Sequence, residues 1–216
     1  MELSTNGLWW VLGAAAVGLG LGAALSALTR RLLHHDRAIA GSWWLGAVVT
    51  SVLLALLAWR VGDRGTFAVY GFAAVLGVPL AVLDWCEHRL PRQLSWPQLG
   101  GVIAGFEALC LAHNDVEPGV RALGGLLATG GLVLVLAVLT NGGVGAGDVV
   151  VAALVGAVSS WIGWAQVAGA LVVASVLALL LLAVPGAHRD GERGQATVPF
   201  GPCLFGGAFV MILISS

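Results

Sequence analysis

The feature that most constrains this chain is a succession of apolar runs, many close to twenty residues long, parted by short polar breaks. Wound as α-helices, runs of that length match the hydrocarbon thickness of a bilayer. A soluble domain has no place for so many. Its surface must be largely polar, whereas 59% of these 216 residues are hydrophobic and only 10% are charged, with a mean hydropathy of +0.96. The expected fold class is therefore all-α, a polytopic membrane protein of about eight transmembrane helices in one domain over residues 1–216. A net charge of −1 gives no case for a nucleic-acid partner, and the lipid bilayer is the expected surrounding. Cys86, Cys110 and Cys203 form no CxxC pair, which argues against a zinc ribbon and against a disulfide framework.

Read in order, the runs predict helices over about 8–28, 42–59, 66–84, 98–113, 121–140, 149–161, 163–184 and 203–214. Residues 1–7 carry Glu2 and neither Lys nor Arg, so the first run reads as a retained helix and not as a signal peptide. Within it, Gly18 and Gly22 are spaced to let another helix approach closely. Pro79 is expected to kink the third helix just before its end. The sixth helix is short for a full span. All ten positive charges are arginines. If every helix crosses, Arg30, Arg31, Arg37, Arg89, Arg92, Arg189 and Arg193 share one side, and Arg60, Arg64 and Arg121 the other. The richer side is then cytoplasmic, with both termini outside. Trp9, Trp10, Trp43, Trp44, Trp59, Trp161 and Trp164 are expected near the outer helix ends as a membrane-anchoring aromatic belt.

Against this apolar background, residues 142–148, reading GGVGAGD, stand out. Asp148 closes a polar, glycine-rich break at the mouth of an apolar run. A charged group beside hydrocarbon is expensive and marks function by default. The bland alternative is an interhelical loop ending in an Asp N-cap. A second carboxylate, Asp84, falls by the same helix count at the same side and a similar depth, where it also reads as a solvated helix end near Arg89 and Arg92. Two acids at one depth suit water-activated peptide hydrolysis: one carboxylate takes a proton from water while the other, protonated, supports the carbonyl oxygen. Chain position sets the pair apart, since Asp148 begins a helix and Asp84 ends one.

Gly145-Ala146-Gly147-Asp148-Val149 matches the GxGD motif of intramembrane aspartic peptidases. Asp84, with Pro91 seven positions later, resembles the first aspartate motif of type IV prepilin peptidases, and Val198-Pro199-Phe200-Gly201-Pro202 resembles a late segment of the same family. The resemblance covers the chain from about Val78 onward, with the three elements in the family's order. It implies an eight-helix membrane aspartic endopeptidase with Asp84 and Asp148 as the catalytic pair. Gly145, Gly147, Pro91, Pro199, Phe200, Gly201 and Pro202 carry over as supporting motif residues. The implied substrate is a pilin or pseudopilin precursor, cut after a glycine and before its apolar helix, at the cytoplasmic face of the inner or plasma membrane, with no cofactor or metal. Two departures stand out. The family's usual Lys two residues after the second aspartate is Val150 here. The cytoplasmic CxxC domain that long members carry between their first two helices, tied to N-methylation, is replaced by the cysteine-free loop 29–41, which leaves methyl transfer without its usual domain.

Glu107 falls inside the fourth helix, where an acid can relay protons, bind substrate or bond to a neighbouring helix. His34, His35, His88, His188 and Cys86 share the cytoplasmic side without a zinc spacing. Two other functions remain open. One is a small ion-coupled transporter using Glu107 and the helix break at Asp148. The other is a catalytically degenerate homologue acting in pilus or secretion assembly, with Val150 as its mark.

Overall fold

In the computed structural model the apolar runs become α-helices, and the structure describes residues 5–32, 43–87, 90–140, 145–183, 189–190, 196–197 and 199–215. The helices are α1 (Thr5–Leu32), α2 (Trp43–Arg60), α3 (Arg64–Glu87), α4 (Arg92–His113), α5 (Glu117–Leu139), α6 (Ala146–Ile162), α7 (Trp164–Ala183) and α8 (Phe200–Ser215). Between α7 and α8, β1 (Arg189–Asp190) and β2 (Ala196–Thr197) form a two-residue antiparallel ladder that pairs Arg189 with Thr197. Four segments, Gly7–Ala27, Arg64–Cys86, Glu117–Leu139 and Trp164–Ala183, are long and apolar enough to cross a membrane. Helices α2, α6 and α8 are apolar but shorter, and α4 carries Arg92, Gln93, Gln98 and Glu107.

Neighbouring helices run in opposite directions. A Cβ on Gly18 would lie 2.6 Å from Ser51 Cα, and one on Gly22 would lie 2.7 Å from Ala47 Cα, so the expected glycine pair does seat α1 against α2. Between α3 and α4, Gln98 Nε2 donates to Ala73 O at 2.6 Å. Between α5 and α6, Thr129 Oγ1 lies 2.8 Å from both Gly125 O and Ala152 O. Helix α6 is the centre of the bundle, buried from Val151 through Ser160 and flanked by α4, α5, α7 and α8. Its 17 residues span about 25 Å at 1.5 Å each.

Two arginines close helix ends that would otherwise leave carbonyls bare. Arg121, at the start of α5, donates to Ser160 O and Trp161 O at 2.7 Å each. Arg60, at the end of α2, donates to Leu213 O at 2.6 Å and Ile214 O at 3.1 Å. Beside them, Arg64 lies over the Trp10 ring at 5.3 Å. The bundle therefore has one end made of the starts of α1, α3, α5 and α7 with the ends of α2, α4, α6 and α8. The other end gathers the end of α3 and the starts of α4, α6 and α8, and with them Asp84 and Asp148.

Several boundaries differ from the sequence reading. Helix α3 begins at Arg64 because Asp63 caps it, its Oδ2 accepting the Thr66 N–H at 2.6 Å and the Thr66 hydroxyl at 2.7 Å. It continues eight residues past Pro79, to Glu87. The expected loop 84–97 is mostly helical, since α4 starts at Arg92 with Pro97 inside it. The tryptophans divide between both ends: Trp10, Trp59, Trp161 and Trp164 lie at the arginine-capped end, whereas Trp43 and Trp44 open α2 at the carboxylate end. A single outer belt is thus replaced by one belt at each end, the pattern of a protein with two interfaces.

Candidate active site

Asp84 sits in the last turns of α3 and is 5% exposed. What it meets there is the start of α8. The four N–H groups at a helix start have no partner within the helix. Here Pro199 precedes Phe200, and Pro202 follows Gly201, so two of the four positions carry no N–H at all. Phe200 and Gly201 are left, and the Gly201 N–H donates to Asp84 Oδ2 at 2.9 Å in a buried setting. The approach is tight, since a Cβ on Gly201 would lie 2.7 Å from that same oxygen. Pro199 is buried, and its carbonyl accepts the Cys203 thiol at 3.7 Å. The PFGP segment, expected to precede the eighth helix, is in large part that helix's first turn.

Asp148 lies in the first turn of α6, not ahead of it. Gly145 is the N-cap, with φ −68 and ψ 146, and Asp148 is the third helical residue. Its Oδ2 accepts the Gly145 N–H at 3.2 Å, while its own N–H donates to Gly145 O at 3.0 Å. This is half of a capping box, with backbone in place of the N-cap side chain. The two glycines of the motif have different jobs. Among the described residues, a Cβ on Gly145 would meet Asp148 Oδ2 alone, at an ordinary 3.4 Å. A Cβ on Gly147 would lie 2.5 Å from Leu90 Cβ. Leu90 precedes Pro91, the N-cap of α4, whose carbonyl accepts the N–H of Leu94 at 3.0 Å and of Ser95 at 3.2 Å.

Three segments far apart in sequence are thus in contact at one end of the bundle. Leu90, next to Pro91, touches Gly147 at the start of α6, and Gly201 touches Asp84. Chain position is not the whole of the contrast expected between the two carboxylates. Asp84 does end α3, but it also accepts a backbone N–H from the start of α8, so each acid faces a helix N-terminus. Val150 is partly buried against the core, an apolar packing residue at the position where the resembled family has Lys. Glu107 is exposed on the outside of the bundle and not turned into it. Cys86 is buried. His34, His35, His88, His188, Arg89 and Val198 lie outside the described residues, and among the described residues no three of His, Cys, Asp and Glu stand together as a metal site.

Sequence reasoning missed Leu90 and the Gly201 N–H as partners of the two motifs. The readable signal for the second is the proline bracket around Phe200 and Gly201, which strips a helix start of donors and leaves a short, specific pair. No family model, no curated protein and no solved structure matches the chain.

Proposed function

We propose that this chain is a multi-pass membrane aspartic endopeptidase that removes the leader of pilin-like precursors at the cytoplasmic face. The observation that carries the reading is the meeting of its three motif segments at one end of the bundle, with Gly201 against Asp84 and Gly147 against Leu90 beside Pro91. Motifs that matched by accident in a glycine-rich chain have no reason to converge. Eight crossings fit the alternating helix directions. The arginines favour the carboxylate end as the cytoplasmic one, because Arg60, Arg64 and Arg121 gather at the opposite end, whereas among the described residues Arg30 and Arg31 close α1 and Arg92 opens α4 at the carboxylate end.

In this reading one carboxylate of the pair is ionised and one protonated, because like charges in close proximity cannot both ionise, and the two titrate as a unit. The ionised acid takes a proton from water as the water oxygen bonds to the scissile carbonyl carbon. The protonated acid donates a hydrogen bond to the carbonyl oxygen. Breakdown cleaves the C–N bond, and the amine leaves with a proton from the pair. The Gly201 N–H fixes the orientation of Asp84, and the Gly145 N–H does the same for Asp148.

The test is cleavage of a co-expressed pilin-like precursor by the wild type, Asp84→Asn, Asp148→Asn and the double variant. Each single change is expected to abolish cleavage with the bundle still folded, and the double variant to be no worse than either, since the groups act as a unit. Substantial cleavage by either single variant would remove the dyad.

A further inference from the structure

A cavity of about 550 Å³ separates the α1–α2 hairpin from α3, α6 and α8. The hairpin is pinned at the arginine-capped end by the Arg60 bonds to α8, by Arg64 over Trp10, and by the edge-to-face pair Trp10–Phe67 at 5.2 Å. Toward the carboxylate end it is lined by Leu25 and Thr29 of α1 and Leu45 of α2 on one side, and by Trp85 and Cys86 of α3 on the other. Among the described residues no charged side chain lines the cavity. The hydroxyls of Ser26, Thr29 and Thr50 donate to carbonyls of their own helices, Gly22, Leu25 and Gly46. Val49, on the lining, is 44% exposed, so the cavity reaches the outer surface of the bundle.

We infer that this cleft seats the apolar segment following the scissile bond of the precursor, which enters sideways past α2. The inference rests on the peptidase reading above. Continuity with the carboxylate site selects this occupant. Trp85 follows Asp84 directly in the chain, and Pro202 follows the Gly201 that holds it, and both line the cleft. A peptide whose bond lies at Asp84 has its next residues at the cleft's mouth. Length agrees as well: the α3 wall runs from Tyr70 to Cys86, about 24 Å at 1.5 Å per residue, close to the hydrocarbon depth of a bilayer. On that wall Ala73, Ala74, Gly77 and Ala81 recur at helical spacing, and small side chains let a second helix approach closely. A bound lipid chain is the competing occupant, and nothing ties it to Asp84.

The experiment places a photo-reactive residue at Ala74 or Ala81, both on the lining, and at Val135, which is 55% exposed on α5, as control. The full-length protein, carrying Asp148→Asn to prevent turnover, is reconstituted in nanodiscs. The probe is a synthetic peptide with a short basic leader, a glycine and an apolar helix of about twenty residues. Cross-links to the peptide are expected from Ala74 and Ala81, at least tenfold above those from Val135 and competed by unlabelled peptide. Cross-links to lipid alone, or equal peptide yields from all three sites, overturn the assignment. Wild-type cleavage is measured in parallel. Cleavage with lipid-only cross-links sinks the cleft and spares the peptidase. Peptide cross-links without cleavage of any precursor sink the peptidase reading and leave the cleft as a seat for an apolar helix.

Discussion

Replacing Gly201 by Ala probes the contact between α8 and Asp84 most directly. The added methyl would lie 2.7 Å from Asp84 Oδ2 and 3.3 Å from its Cγ. Ordinary contacts settle near about 3.5 Å, so the carboxylate or the start of α8 must retreat by roughly 0.8 Å. The hydrogen bond now at 2.9 Å then stretches past the useful range. Overpacking a tight site costs about 1–3 kcal/mol, and loss of a bond to a charged group about 1.5–3 kcal/mol. The two overlap because one displacement causes both, so a total near 2–4 kcal/mol is expected. For catalysis, misplacing a reacting group by about 1 Å costs on the order of 10²-fold. The assay is kcat/KM for precursor cleavage, read beside the thermal midpoint in detergent. Gly131→Ala in α5 serves as control, since its Cβ meets nothing within 4 Å, and it is expected to leave cleavage unchanged and to gain up to about 1 kcal/mol. A Gly201→Ala protein with wild-type cleavage and stability would refute the argument that this N–H holds Asp84.

The two glycines of the GxGD segment should separate. Gly145→Ala, in an ordinary extended conformation with room for a methyl among the described residues, is expected to stay within about threefold of wild-type cleavage, at a cost of only a few tenths of a kcal/mol to about 1 kcal/mol. Gly147→Ala forces α6 off Leu90 and should lose at least tenfold in cleavage. Asp63→Ala should cost about 1 kcal/mol as a lost N-cap, seen as a lower thermal midpoint near neutral pH. The Thr66 hydroxyl and N–H hold the Asp63 carboxyl below its usual range. The cap's contribution is therefore complete above about pH 4 and is lost as pH falls through the lowered folded value, so wild type and Asp63→Ala should converge in acid. For topology, a cysteine at exposed Gly62 should react with an impermeant thiol reagent in whole cells, and one at exposed Gln93 only after permeabilisation. The native cysteines are all buried and give little background, and the reverse pattern would invert the assigned orientation.

What the sequence carries and what it withholds divide along a physical line. Helix number, order and alternation follow from apolar run length, a property of each segment alone, and so does the α1–α2 contact, because a glycine pair four residues apart leaves a groove whatever fills it. The ends are another matter. Asp63 lies in a polar turn, and the sequence reading started α3 two residues late because that side chain supplies the donor-satisfying oxygen that its apolar pattern does not record. Asp84 is the harder case. From chain position it is an acid at the negative end of α3, and the helix dipole alone predicts a modest contrast with Asp148. That forecast considers only the helix to which the residue belongs. The field at a side chain comes from every helix end near it, and the nearest one to Asp84 begins 116 residues later, at Phe200. Local pattern placed both carboxylates at the same end of the bundle. Only the packing of α8 shows that Asp84 too meets the N–H of a glycine at a helix start, as Asp148 meets that of Gly145 within α6, so the helix to which each acid belongs does not by itself set the two apart.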